Sequence, residues 1–286
     1  MSQTIERQTA ESVRDRLVDF SHELGRPDRA WALLAEGNTS ILLPDAGDGH
    51  AAMLVKASGA SMARAAPDDF VRLDLAPVLA LVDGTDGGDR EVAAVFEAAA
   101  SAEAGKRPSV EAILHAVCLD LPGVLAVGHT HPVPVNALLC STGAEALVRG
   151  SLFPDQIVVL GTNPLLVPYV DPGLQLARVV RTMLREHMAA TGRVPKVVYL
   201  RNHGMFALGA SEAEVLQITE MAVKVAEVVI GALAAGGPVY LSDEAVARID
   251  TRPDEVLRRT ALSTHQPKTH RYTDAAARSA TGTEPA

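Results

Sequence analysis

A chain that ends an apolar run, Val124-Leu125-Ala126-Val127, in Gly128-His129-Thr130-His131-Pro132 must bury a strand whose rim carries two imidazoles. The run follows a Pro122-Gly123 turn and reads as a buried β-strand. Side chains alternate along a strand, so His129 and His131 point to the same face. Neutral imidazole is a common ligand for zinc and similar divalent ions, and a catalytic centre takes three protein ligands and keeps an open position. The pair alone is a weak signal, because a motif of this size needs structural context.

Two other stretches supply context. Upstream, Pro108-Ser109-Val110-Glu111 opens a segment with Ile113, Leu114, Val117, Cys118 and Leu121 on one apolar face. With Ser109 as N-cap, this predicts a helix whose first turn carries Glu111, where the helix dipole favours a carboxylate. Downstream, Lys196-Val197-Val198-Tyr199-Leu200 reads as a buried strand running into Arg201-Asn202-His203-Gly204. His203 sits beside a glycine, as expected where backbone closely approaches a ligand.

Taken in order, Gly37-Asn38-Thr39-Ser40, Ser58-Gly59, Pro108-Ser109-Val110-Glu111, His129-Thr130-His131-Pro132 and Asn202-His203-Gly204 resemble the class II aldolase/adducin family over roughly residues 10–235. The resemblance implies a three-layer α/β/α fold and a tetramer with active sites between subunits. It makes His129, His131 and His203 the ligands of a divalent metal, zinc first, with manganese, cobalt and iron as alternatives. Glu111 becomes the acid/base. Gly37, Asn38, Ser58 and Gly59, with Ser109, would hold the distal end of the substrate, often a phosphate in this family. The implied activity is a metal-dependent carbon–carbon lyase of aldolase type, binding a hydroxy-ketone, sugar-like or oxo-acid substrate and cleaving it through an enediolate. A Lewis acid stabilises such a species, and neither a G-x-S-x-G turn nor a Schiff-base lysine suggests a covalent route.

Three departures from the sugar-phosphate aldolases bear on the substrate. Val110 stands where those enzymes carry a second serine, and Glu36 precedes Gly37; both disfavour a dianionic phosphate and point to an unphosphorylated or carboxylate-bearing ligand. No tyrosine lies between Pro132 and Pro168, where those aldolases supply a proton donor. The family therefore leaves decarboxylase, dehydratase and iron-dependent oxygenase readings open. The non-catalytic adducin-like scaffold lacks the histidines that this chain keeps.

The 286 residues are 48% hydrophobic and 21% charged, with room for one sizeable core. A net charge of −9 argues against a nucleic-acid or anionic-membrane partner. Cys118 and Cys140 fall in apolar helical stretches and are expected as buried thiols, not as a disulfide. Met1 to Arg7 lacks the basic start and apolar core of a signal peptide, and no run reaches the ~18 apolar residues of a membrane span. A cytoplasmic protein is the expectation.

Residues 5–25 carry a helical pattern ended by Gly25-Arg26-Pro27. A hairpin follows, from Gly37 to Leu43 and Met53 to Lys56, around the turn at Pro44 to Gly49. Residues 61–107 are weakly patterned up to the alanine-rich helix Val92 to Ala104, and Asp83 to Asp89 reads as a solvated loop. Pro134 to Cys140 is predicted helical, Phe153 to Leu160 a strand, and Pro164 to Tyr169 extended. Pro172-Gly173 opens a long helix on which His187 is a surface or core-edge residue. Met205 to Leu208 pairs as a hairpin with the His203 strand, and Ser211 with Glu214 caps the last major helix. The tight hairpins call for an α/β protein with a mixed, mainly antiparallel central sheet. Residues 1–240 form the domain, and 241–286 a C-terminal arm with a disordered tail from Ala275. His265, His270, Tyr240 and Tyr272 lie in or near that arm and are read as surface residues, with a reach over a neighbouring active site as the alternative.

Overall fold

Period-two patterning and short turns determine the sheet. In the computed structural model, which describes residues 2–43, 51–102 and 105–264, the elements run α1 (Ser2–Leu24), β1 (Asn38–Leu42), β2 (Ala52–Lys56), β3 (Phe70–Asp74), α2 (Leu75–Asp83), α3 (Asp89–Ala102), α4 (Ala112–Leu119) and β4 (Ala126–Thr130). There follow α5 (Val133–Leu139), α6 (Pro154–Leu160), β5 (Leu165–Val167), α7 (Leu174–Thr191), β6 (Val197–Leu200), β7 (Gly204–Gly209), α8 (Glu212–Ala234), α9 (Asp243–Thr251) and α10 (Pro253–Thr264). The strands form one seven-stranded sheet in the order β3-β2-β1-β4-β7-β6-β5. Every neighbouring pair is antiparallel except β5 and β6, which are parallel. That exception follows from connectivity, because α7 carries the chain back between them and a crossover is what a parallel pair requires.

Helices cover both faces, giving the three-layer α/β/α arrangement of a mixed, mainly antiparallel sheet. Tyr199, Met205 and Ala207 join one core with Phe20 of α1, Val135 of α5, Leu160 of α6 and Ile218 of α8. Val198, Leu200, Phe206 and Leu208 join the other with Val78 of α2, Phe96 of α3, Val117 of α4 and Val180 of α7. The alternation of consecutive residues between two cores is the strand period made visible. On β4 it sends Val127, and with it His129, toward α4. Gly128 faces the other way, where α1 and α8 lie directly against the strand. Among the described residues no helix is long and apolar enough to cross a membrane.

Some sequence expectations are corrected. Phe153 to Leu160 is not a strand: Pro154 to Leu160 is helix α6, with Phe153 extended at its N-cap (φ −155°), Pro154 in the first turn and Asp155 beside it. Proline is well suited to the first turn, and a short apolar run has no period with which to overrule it. The weakly patterned region holds β3, an edge strand, and α2. Cys118 is buried as expected, but Cys140 is exposed; both are free. The hairpin turn at Pro44 to Gly49, and His265, His270, Tyr272 and the tail from Ala275, lie outside the described residues. Beyond Gly236-Gly237-Pro238, α9 and α10 pack on the body. Arg258 pairs with Asp155 of α6 at 2.8 Å, Asp250 with Arg193 at 2.6 Å, and the Tyr240 hydroxyl donates to the Ala146 carbonyl at 3.0 Å.

A Cβ at Gly128 would stand 2.8 Å from Val215 Cγ1 and 2.9 Å from Leu24 Cδ1. Gly128→Ala is therefore expected to destabilise the fold by about 1–3 kcal/mol through overpacking. A urea midpoint equal to that of the wild type would contradict this packing of α1 and α8.

Candidate metal centre

Three segments meet at one end of the sheet. His129 lies within β4, fully buried, and His131 follows one residue beyond the strand. The β6–β7 hairpin brings His203, and its turn depends on Asn202 in the left-handed region (φ 55°), which asparagine tolerates better than most residues. Asn136 of α5 steadies this turn by donating Nδ2–H to the His203 carbonyl at 2.9 Å. Glu111 comes from the start of α4. It occupies the N-cap position itself (φ −74°, ψ −10°), where Ser109 was expected, and its side chain makes no cap. The Ser109 hydroxyl instead accepts from the Glu111 amide at 3.4 Å. Freed from capping, the Glu111 carboxylate turns to the histidines.

One ligand atom from each of Glu111, His129, His131 and His203 lies within 4.8 Å of the others. His129 Nε2 is 2.9 Å from His131 Nε2, and Glu111 Oε1 is 3.1 Å from His129 Nε2 and 2.8 Å from His203 Nε2. The far side of two rings decides what these atoms are. His129 Nδ1 is 3.0 Å from the Met205 carbonyl, which can only accept, so the proton sits on Nδ1. His131 Nδ1–H likewise donates to Glu36 Oε2 at 3.2 Å. In the neutral rings both Nε2 atoms therefore present lone pairs to each other and to a carboxylate oxygen. Such a set suits a divalent cation, three nitrogens and one oxygen being a common zinc-type donor set. Burial first, then repulsion from His129 and His203 wherever those rings hold a second proton, push His131 down to about 3, so it remains a neutral donor. Burial opposes the Glu111 charge, but where His129 and His203 carry a second proton in place of the ion, their attraction and hydrogen bonding prevail and hold its carboxyl well below the usual range.

The expected substrate residues divide into two groups. Asn38, buried at the start of β1, donates Nδ2–H to Glu111 Oε2 at 2.6 Å, so its amide serves the carboxylate. Gly37 (φ 72°) passes so close that a Cβ there would meet the His129 carbonyl at 2.8 Å. Ser58 and Gly59 line a neighbouring cleft with Asp69, Lys106 and Arg107. Lys56 braces the second group: its Nζ donates to the Ala57 and Ala60 carbonyls at 3.3 and 2.6 Å, on either side of Ser58 and Gly59. A separate cavity of about 360 Å³, lined by Val158, His187, Arg193 and Ile218, holds none of these residues.

Sequence reasoning missed three residues. Lys56 is 1% exposed, and a lysine ending the run Met53-Leu54-Val55 was the available signal. His115 is fully buried, four residues after Glu111 and so one turn along the same face of α4. It shares a hydrogen bond with the Ser40 hydroxyl at 2.7 Å, packs edge-on to Phe206, and is pushed by burial to about 3, hence neutral. Phe206 in turn stacks on His129 with ring centroids 4.2 Å apart. Glu36 was noted only as a charge, and its contact with His131 had no sequence signal.

Two tests follow. A Cβ at Gly204 would lie 2.5 Å from His131 Cδ2 and 2.6 Å from the Thr130 carbonyl. Gly204→Ala is expected to cost about 1–3 kcal/mol and to displace His131; an unchanged His131 imidazole NMR resonance would contradict the contact. Burial lowers Lys56 from 10.5 to about 8. Between those values the unfolded chain binds the extra proton, so stability rises with pH. Relative to Lys56→Met, the wild type should gain up to roughly 3 kcal/mol from pH 8 to 10.5, read from paired urea titrations; a flat difference would refute the shift.

Comparison with known proteins agrees with this geometry. Residues 15–230 match the family described as Class II Aldolase and Adducin N-terminal domain. The chain is 32% identical over 220 residues to a methylthioribulose-1-phosphate dehydratase of Pseudomonas syringae pv. tomato, covering 72% of this chain and 90% of that one. It is 26% identical over 216 residues to the uncharacterized oxidoreductase YuxG of Bacillus subtilis, covering 74% of this chain but only 29% of that relative. The fold is that of YgbL from Escherichia coli, with a TM-score of 0.60 at 22% identity over 85% of this chain and 99% of that one. The chain belongs to the class II aldolase and adducin family.

Proposed function

We propose that the protein is a divalent-metal-dependent lyase that breaks a carbon–carbon bond in a small hydroxy-ketone, sugar-like or oxo-acid substrate. The observation that carries the reading is the convergence of Glu111 Oε1 and three imidazole nitrogens within 4.8 Å. His129, His131 and His203 would hold the ion, zinc first, with manganese, cobalt or iron able to take the same donors. When bound, the ion acts as a Lewis acid on a substrate carbonyl. The chain's own residues supply the rest. Asn38 holds Glu111 by one oxygen, leaving the other at the centre, so the carboxylate can exchange a proton with the substrate hydroxyl or carbon. Its side chain is 14% exposed, enough to be reached and too little to be well hydrated. Gly37, Ser58, Gly59 and Ser109 border the space for the substrate's distal end, with Lys56 fixing the Ala57–Ala60 turn. Residues 1–240 would form this catalytic domain and 241–286 an appended arm, in a cytoplasmic homotetramer.

A dehydratase of the same family is the second reading, favoured by the 32% identity to the methylthioribulose-1-phosphate enzyme. Both readings use the same ion and the same carboxylate. Presenting hydroxy-ketones and oxo acids, with and without phosphate, to the metal-loaded protein separates cleavage, decarboxylation and dehydration by their products. Glu111→Gln should keep stoichiometric metal while turnover falls by about 10²–10⁴-fold, the usual contribution of a general acid/base. Full turnover in that variant would remove Glu111 from the mechanism, and a chain that takes up no metal would sink the lyase reading.

A further inference from the structure

The outer nitrogens of His129 and His131 are held differently. A neutral backbone carbonyl, that of Met205, binds His129 Nδ1–H at 3.0 Å. A carboxylate, Glu36 Oε2, binds His131 Nδ1–H at 3.2 Å, and the other oxygen of Glu36 accepts the Leu33 amide at 2.7 Å. Glu36 stands at the rim with 35% of its side chain exposed, where a carboxylate is ordinarily hydrated. The backbone around it is unusual. Among the described residues only Ala30 (φ 50°), Leu34 (φ 54°) and Asn202 (φ 55°) are left-handed without being glycine, and two of these lie in the six residues before Glu36. Leu34 is 91% exposed, so burial of its side chain does not compensate for that conformation. The same segment grips His131 a second time, because the His131 amide donates to the Trp31 carbonyl at 2.7 Å.

Resting on the metal reading above, we infer that Glu36 is a positioning residue for the metal centre. Its carboxylate keeps the His131 proton on Nδ1 and aims the Nε2 lone pair inward. Its charge also makes that ring a stronger electron donor than one held by a carbonyl. Glu36 therefore serves the ion, although its place just before Gly37-Asn38 would assign it to the substrate's distal end. The strained turn is what delivers the carboxylate to the ring.

Zinc affinity of the full chain, measured by competition with a chromophoric chelator, tests the assignment, together with the visible spectrum of the cobalt-substituted protein. The wild type should bind one ion per chain. Glu36→Ala should weaken zinc binding about 10–100-fold, the range for such partners of a ligand histidine, and shift the cobalt bands while the far-UV circular dichroism is unchanged. Glu36→Gln keeps an acceptor but not the charge, and should lose about tenfold with an intermediate spectrum. If Glu36→Ala does not fold, Glu36→Gln decides alone. Affinities within twofold of wild type and an unmoved cobalt spectrum would overturn the inference and leave the metal reading standing. A wild-type chain that binds no zinc would overturn both.

Discussion

Four electron-pair donors converge at one end of the sheet, and they repel one another unless a cation or protons come between them. The surrounding fold supplies what such a convergence needs. Period-two geometry on β4 puts His129 and His131 on one face, and the carbonyl of Met205 and the carboxylate of Glu36 hold the protons on the outer sides of those rings. The opposite face of the strand is trimmed to glycine at Gly128, so α1 and α8 can press against the backbone. Rigidity on one face thus supports precision on the other. A site tolerant of only small displacements belongs on strand and hairpin, where backbone hydrogen bonds hold position, more than on a free loop.

Behind the centre lie several buried polar side chains. Ser21 and Thr39 bond one another at 2.6 Å, Ser40 bonds His115, and Lys56 bonds two carbonyls. Burying a polar group is tolerable when it is hydrogen-bonded, and burying a charge is far harder. The interior follows this rule, since His115 is held neutral and Lys56 is drawn toward its neutral form. Glu111 keeps its charge at the rim, against the ring nitrogens and the Asn38 amide, and the Lys56 ammonium keeps its own by donating to the Ala57 and Ala60 carbonyls.

The parts of the site legible from sequence are those governed by local periodicity. Alternation predicted the shared face of His129 and His131, and the hairpin around His203 followed from two short apolar runs with a turn between them. Glu111 was placed near the right end of the right helix, although it takes the N-cap position expected of Ser109 without capping it. Where two periods compete over few residues, the reading failed: Phe153 to Leu160 has no length in which to display one, and a single proline settled it as helix. Glu36 failed differently. Its contact with His131 depends on a leucine in the left-handed region, and no propensity rule places a leucine there. Lys56 and His115 were obscure because their positions are explained by what packs around them in space. The family resemblance carried the donor set, but the hydrogen-bond partners that tune it needed coordinates.

The strand register also bears on how the site comes into being. Asn38 pairs with His129, and His129 with Phe206, so β4 is completed only by segments far upstream and far downstream of it. Long-range antiparallel pairings of this kind form late, because loop-closure entropy must be overcome first. As the chain is synthesised, β4 and its histidines emerge long before the hairpin that carries His203. In a nascent chain the four donors Glu111, His129, His131 and His203 are therefore not assembled until β7 joins the sheet. On the metal reading proposed above, loading would thereby be tied to the docking of β7, and a premature ion would gain little foothold during synthesis.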